Sequence, residues 1–240
     1  ITKHVFPNAV CITDHFHVIQ ELNRRVDRVR IRVQNRFRKT INTLKPKENN
    51  KTITPEEIVE LEEASRYYYV LKKFNWLLAS TNKKILDVNV ERRFNHRLNR
   101  YLNYSEILAY MLAIDDELEE AFYLRNDVTY FYDHCTYDTA KKQLEKIIID
   151  FRSSPIAEMS PFANTLTNWK REIINSFIIV DDKANRKMNT AIVENRNKSI
   201  KLIKHASNGY LNWERFRNRI LYTLNEDTTF YYTSIRKDGK

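Results

Sequence analysis

The stretch AVCITDHFHVIQELNRRVDRVRIRVQNRFRK, at residues 9–39, decides how the first part of the chain folds. Residues 10–13 are apolar and rich in β-branched side chains, a pattern typical of a buried strand. The pattern then changes to helical spacing, which predicts a long helix over residues 15–39. The buried stripe of this helix is expected to contain Leu22, Val26, Val29 and Val33.

Asp14 lies at the junction between the predicted strand and the predicted helix. The carboxyl ends of strands are where α/β sheets place their ligands and catalytic groups. Aspartate is also among the best helix N-cap residues, and the two roles are compatible. His17, one turn into the helix, is interpreted either as a contact to a metal or a phosphate, or as packing against the sheet.

A second informative stretch, ENRNKSIKLIK at residues 194–204, places one carboxylate among cations and amides. Because residues three or four apart share a helix face, Glu194 lies on one face with Asn197, Lys198, Lys201 and Lys204. This arrangement is typical of a metal ligand beside phosphate-binding cations. It is equally typical of an ordinary ion pair on a solvated helix.

These stretches resemble the DDE transposases of bacterial insertion sequences, specifically the ISL-three family. The family's second acidic residue begins the pattern Asp-x-Phe-His-Val, seen here at residues 14–18. Its third begins the pattern Glu-Asn-x-Asn-x-x-Ile-Lys, seen here at residues 194–201. The sequence GYLNWERFRNRIL at residues 209–221 is similar to a further long motif of the family. The resemblance extends to about residue 224.

The resemblance implies a partial RNase H-like catalytic domain that carries a large helical insertion. It implies two divalent ions, Mg2+ or Mn2+, held by three carboxylates, of which Asp14 and Glu194 are the second and third. The implied reaction is cleavage and strand transfer of DNA, at insertion-sequence ends and target, by a homo-oligomer. The residues implied to position DNA phosphates rather than read bases are Asn197, Lys198, Lys201, Lys204, Arg217 and Arg219.

The family's first acidic position precedes the matched segment, and this chain begins without a Met. We therefore expect the carboxyl-terminal part of a transposase, without the first catalytic Asp and the DNA-binding region, and incomplete as a catalyst alone. The alternative is a non-catalytic helical module for nucleic-acid binding or assembly. In that alternative Asp14 is only a helix cap and Glu194 only an ion pair.

Composition favours a mainly α chain with a small β component. The 240 residues include only 2 Gly and 5 Pro, so few turns can be built from these residue types. We expect a partial catalytic core at 1–45, a helical insertion at 46–155, the remaining core helices at 156–225 and a tail at 226–240. After a loop at 45–54, Thr54 is expected to cap a region that is helical to about residue 150, with breaks at 99–104 and 133–137.

The formal net charge of +10 points to a polyanionic partner. Cations cluster at residues 24–39 and again at 196–219. The two cysteines allow no zinc motif and no disulfide framework. No apolar run is long enough to span a bilayer and no signal peptide is recognised, so a cytoplasmic protein with no membrane partner is expected.

Aromatic residues are frequent in the predicted insertion, and they have two interpretations. They are expected mainly to pack its helices. The alternative is that they stack nucleic-acid bases, as in single-strand binders. The residues concerned are Tyr67, Tyr68, Tyr69, Phe74, Trp76 and Phe94.

Overall fold

A computed structural model describes residues 10–181, 186–188 and 191–225 of the chain. The predicted tail at 226–240 lies outside the described residues. The described part is mainly helical with a small β component, as the composition predicted. It divides into two compact units, residues 1–188 and 189–240. No helix among the described residues is long and apolar enough to cross a bilayer.

The first unit is a set of packed helices with two short antiparallel hairpins. In chain order its elements are α1 (His15–Asn49), α2 (Pro55–Lys73), a 3-10 helix (Asn75–Ala79), β1 (Arg93–Asn95), β2 (Arg100–Leu102), α3 (Tyr104–Leu112), α4 (Asp116–His134), α5 (Tyr137–Ser153), α6 (Phe162–Asn168), α7 (Lys170–Asn175), β3 (Ile179–Asp181) and β4 (Arg186–Lys187). β1 pairs with β2 and β3 pairs with β4. The second unit contains α8 (Ala191–Ala206) and α9 (Trp213–Leu224).

α1 forms the centre of the first unit, and α2 and α4 pack against it. The predicted stripe is confirmed, since Leu22, Val26, Val29 and Val33 are all buried. Their spacing of three and four residues keeps these side chains on one face of the helix.

α1 continues to Asn49, so the loop predicted from residue 45 begins too early. Buried Leu44 still packs in this last part of the helix. Pro46 removes only one helical hydrogen bond there, because its nitrogen carries no proton. Lys45 pairs with Glu48 at 2.9 Å within the same turn, which supports the helix end.

The predicted start of α2 is confirmed by a capping box. The Thr54 hydroxyl accepts from the Glu57 amide at 3.3 Å, and the Glu57 carboxylate accepts from the Thr54 amide at 3.1 Å. Each side chain satisfies an amide that the first helical turn leaves unpaired.

The strand predicted at residues 10–13 is not found. The segment is instead tied to α7 by two hydrogen bonds: the Thr13 amide donates to the Glu172 carbonyl at 3.1 Å, and the Asn175 amide side chain donates to the Cys11 carbonyl at 2.9 Å. A strand requires a ladder of bonds to a second strand. Within the described residues no second strand lies beside this segment.

The helix predicted between α2 and the break at 99–104 is also wrong, because a 3-10 helix ends at Ala79 and β1 follows at Arg93–Asn95. The β1–β2 hairpin lies here, with a turn that Asn residues build. The Asn95 side chain accepts from the amides of Arg97 and Leu98, at 3.1 and 3.2 Å. Asn99 adopts a positive φ of 51°. Asparagine tolerates this conformation better than most residues, so the turn needs no glycine.

Arg125 is a charged side chain inside the core, and it joins three elements of the first unit. From α4 it donates to the Asn23 side chain on α1 at 2.9 Å, to the Ala79 carbonyl at 2.8 Å and to Asn126 at 2.9 Å. Burial lowers the pKa of its guanidinium from the ordinary value. Three fixed acceptors match the planar fork of arginine and would not match lysine.

We predict that Arg125→Ala destabilises the protein by about 3 kcal/mol or more, because it opens a cavity where the buried side chain lay and removes three hydrogen bonds, two of which join elements. Chemical denaturation followed by circular dichroism measures the change. Arg92→Ala is the control, since its exposed pair with Glu106 should contribute under about 1 kcal/mol. Equal loss of stability in the two variants would contradict the role assigned to Arg125.

Candidate catalytic and DNA-binding residues

Asp14 is held at the amino end of α1 as its N-cap. Its Oδ1 accepts from the Phe16 amide at 2.8 Å, and its backbone is extended, with φ −68° and ψ 126°. The His15 Nδ1 lies 3.4 Å from the same oxygen. Only 10% of the Asp14 side chain is exposed. The predicted cap is therefore confirmed, and the carboxylate sits in a largely enclosed position.

Tyr132, on α4, is close enough to be influenced by the charge of Asp14. Burial raises the pKa of the Tyr132 phenol, and the negative charge of Asp14 raises this pKa further. Its ring is parallel to that of Phe177, with centroids 5.8 Å apart. In the described part of the chain its buried hydroxyl has no hydrogen-bond partner. Sequence reasoning did not identify Tyr132, because it is distant from Asp14 along the chain.

His17 is exposed on the first turn of α1, and the centroid of its ring lies 5.7 Å from that of Phe16. The buried stripe of α1 begins at the next residue, Val18. The interpretation that His17 packs against a sheet is wrong, because its side chain faces solvent. Its role as a metal or phosphate contact stays a prediction.

Glu194 lies in the first turn of α8 and is exposed. A carboxylate is favoured there by the partial positive charge of a helix amino end. Arg196 ties α8 to α9 by donating to the Leu224 carbonyl at 2.8 Å. The side chains that follow Glu194 on the predicted face are also exposed, namely those of Asn197, Lys198, Lys201 and Lys204.

The turn between α8 and α9 fixes the place of the remaining predicted cations. The Gly209 amide donates to the Lys204 carbonyl at 3.0 Å, and the Asn208 amide donates to the His205 carbonyl at 3.1 Å. Asn208 and Gly209 both have positive φ, so the helix ends in a Schellman motif. α9 then begins at the Asn212 cap and exposes Arg217 and Arg219.

Several cations of the predicted basic cluster at 24–39 form ion pairs within the fold. Arg32 pairs with Glu158 and Glu117, and Arg36 pairs with Asp115. The hydrogen bond from Arg32 holds the pKa of the Glu158 carboxyl below its ordinary value. These arginines first serve to join α1 to α4 and to the segment before α6.

Arg30 is another member of that cluster with an internal role. It is buried, donates to Asp27 at 2.7 Å and reaches the Leu71 carbonyl on α2 at 3.1 Å. The exposed cations of the cluster that do not join other elements are Arg24, Arg28, Arg38 and Lys39.

The carboxylates supply hard oxygen ligands, which suit Mg2+ and Mn2+. Within each unit, however, the described residues contain no group of three His, Cys, Asp or Glu side chains that could hold an ion. Asp14 and Glu194 are thus compatible with a metal site by donor type, whereas the described residues of each unit do not supply a full ligand set around either carboxylate.

We predict that Tyr132→Phe stabilises the protein by about 1 kcal/mol at neutral pH, because it removes a buried hydroxyl that has no protein partner. Folding raises the pKa of this phenol, so above about pH 10, the unfolded value, ionisation favours the unfolded state and the wild-type protein loses stability that the variant keeps. Denaturation at pH 7 to 11 should show the advantage of the variant growing above pH 10. Tyr123→Phe, at an exposed position, is the control, and parallel curves for wild type and Tyr132→Phe would contradict this account.

A family model of ISL-three DDE transposases, described as "Transposase", matches residues 1–220. No curated protein and no solved structure matches the chain. The family match includes Asp14, Glu194 and the cations of α8 and α9, and it covers well over half of the 240 residues. The chain therefore belongs to the ISL-three family of DDE transposases.

Proposed function

We propose that this chain carries two of the metal-binding carboxylates of a DNA-cutting and DNA-joining transposase, Asp14 and Glu194. The observation that carries the proposal is the face of α8. Glu194 opens this face and exposed Lys198, Lys201 and Lys204 follow it at helical spacing. Family membership supports the same assignment, including the RNase H-like character of the catalytic domain.

Cleavage requires an attacking water, and strand joining requires an attacking 3'-hydroxyl. A pair of bound divalent ions supplies deprotonation of the nucleophile and stabilisation of the leaving oxygen. Asp14 and Glu194 would hold the ions through carboxylate oxygens. The enclosed position of Asp14 limits competition from bulk water, and its fixed cap geometry orients the carboxylate.

The cations near Glu194 are proposed to bind phosphates rather than to read bases. A lysine ammonium recognises a phosphate as a point charge and carries no sequence information. Asn197 adds a neutral hydrogen-bonding group on the same helix face. Arg217 and Arg219 on α9 are proposed to extend this cationic surface, within the same unit. Assembly of a homo-oligomer on insertion-sequence ends and target DNA stays a prediction.

A second candidate function is a non-catalytic nucleic-acid-binding or assembly module. Its support is the capping role of Asp14, which accounts for an aspartate at this position without any metal. The two candidates differ in what removal of the Asp14 charge should do, while the cap is kept.

We predict that Asp14→Asn lowers the affinity for Mn2+ and Mg2+ by at least about tenfold, because carboxylate charge sets the affinity of such oxygen sites. The melting temperature should change little, since asparagine caps helices as well as aspartate does. Glu194→Gln should have the same effect on metal binding. Calorimetric titration with Mn2+ measures the affinity, and thermal unfolding followed by circular dichroism measures the melting temperature.

The matched control is Asp116→Asn, which neutralises an exposed carboxylate in the first turn of α4. It should leave the affinity for Mn2+ and Mg2+ unchanged. If folded Asp14→Asn and Glu194→Gln proteins also keep full metal affinity, the metal assignment is wrong. The non-catalytic module would then be the better account.

We predict that replacing Lys198, Lys201 and Lys204 together by Ala weakens duplex binding and reduces its dependence on salt. Each phosphate contact contributes about 0.9 to the slope of log K against log salt, so the slope should fall by roughly two to three units. Fluorescence anisotropy at several salt concentrations measures it.

A triple variant on α5 provides the charge-matched control for this experiment. Lys141, Lys142 and Lys146 are exposed on one helix, and their replacement by Ala removes the same number of charges. This control should change the slope much less. A folded α8 variant with the slope of the wild-type protein would remove these lysines from the DNA interface.

A further inference from the structure

The β1–β2 hairpin presents aromatic side chains to solvent. Phe94 and Tyr101 lie directly opposite each other across the two strands, with ring centroids 5.1 Å apart. Phe94 is 40% exposed and Tyr101 is 67% exposed. The His96 ring lies 4.9 Å from Phe94 in an edge-on arrangement. Such rings would normally be covered, so an exposed cross-strand pair indicates a binding surface.

A pocket at the base of the hairpin continues this aromatic surface. Its lining includes Phe94 and Arg93 from β1 and Tyr104 from the start of α3. Exposed Trp76 packs edge-on against Tyr104, with ring centroids 5.2 Å apart. Two of the rings that line the pocket therefore each contact a further exposed ring: Phe94 contacts Tyr101, and Tyr104 contacts Trp76.

Cations lie on the same hairpin. Arg93 and Arg100 are exposed, but they alternate with Phe94 and Tyr101 along the strands and so project from the other face. Arg93 also lines the pocket together with Phe94, and Arg97 in the turn lies 5.7 Å from the ring of Tyr69. Two carboxylates lie nearby along the chain: Glu91 also lines the pocket, and Glu106 is paired with two nitrogens of Arg92. Residues 93–102 contain three arginines and no acidic residue, so the hairpin itself is cationic as well as aromatic.

The hairpin is held rigidly on the helices. Leu98 in its turn is buried in the core. Buried Asn103, which follows β2, donates to the carbonyls of Val88 and Val90 at 3.0 and 3.2 Å. The same side chain accepts from the Glu106 amide at 2.9 Å and caps α3. Exposed rings on a fixed support lose little conformational freedom when a ligand binds.

We propose that this surface binds unpaired nucleotides of single-stranded DNA. Bases would stack on Tyr101 and Phe94 and enter the pocket toward Tyr104, while Arg93 at the pocket contacts a phosphate. Stacking rings beside cations are how proteins bind single strands, and every base has a face that can stack. Paired bases are stacked inside the duplex, so a duplex offers this surface only its phosphates. The choice of DNA as ligand rests on the proposed function, whereas the preference for unpaired bases rests on the hairpin.

The test compares binding of the full chain to an oligothymidylate of about 16 nucleotides and to a duplex of the same length. Tyr101→Val keeps a residue suited to strands but removes the ring. Its affinity for the single strand should fall roughly 5- to 100-fold, the range for loss of one stacked base, with duplex affinity unchanged. Tyr101→Trp should retain single-strand binding, with quenching of its fluorescence by the bound bases. Tyr123→Val, at an exposed tyrosine of α4, should have no effect on either ligand.

Replacing Arg93 by Gln should lower the salt slope for the single strand by about 0.7 units, the value for one contact. The proposal is overturned if Tyr101→Val binds the single strand as wild type does, or if it loses duplex affinity equally. It is also overturned if the variant changes only self-association, measured by sedimentation, since the rings would then cover a second copy. If the α8 lysine variant binds duplex as the wild-type protein does, the proposed role of α8 in duplex binding is wrong. The ratio of single-strand to duplex affinity still tests the hairpin independently.

Discussion

Burial of the valine stripe of α1 against α2 and α4 is the constraint on which the layout of the first unit depends. Once this stripe faces inward, the arginines between its members point to the sides of the helix, where other elements approach. Arg32 and Arg36 then lie at the margins of the core, and carboxylates of α4 and Glu158 neutralise them. A basic helix can be packed in the centre of a unit only if anions line its flanks, because unpaired charges resist desolvation.

The features that sequence predicted well are local ones. The 3.6-residue period of α1 identified its buried side chains, and the residue types of Asp14 and Thr54 identified two helix caps. Both kinds of feature depend only on residues within one or two turns. The strand at residues 10–13 was wrong because its partner had to come from elsewhere in the chain. The hairpin was missed because scarce glycine was taken to mean scarce turns, whereas Asn95 and Asn99 build this turn.

For the candidate site as well, local features were predicted from sequence and features that depend on packing were not. The family motifs identified Asp14 and Glu194, and the helix period placed Lys198, Lys201 and Lys204 on a common face. The enclosure of Asp14 and its electrostatic contact with Tyr132 could not be predicted, because they depend on how α4 packs beside the start of α1. Net charge was equally ambiguous, since it counts an arginine that joins two helices and a lysine that faces solvent as the same charge.

This difference between cations decides where DNA is expected to bind. Arg32 would have to leave the partly buried Glu158 before it could hold a phosphate, and the abandoned carboxylate would lose its main stabilising hydrogen bond. No ion pair among the described residues involves Lys198, Lys201 or Lys204. A phosphate can therefore pair with these lysines without breaking an ion pair that stabilises the fold. Cations already used by the core therefore contribute to solubility and stability. Those left exposed on α8 remain available for phosphates, and the exposed rings of the hairpin add the surface proposed to distinguish unpaired from paired bases.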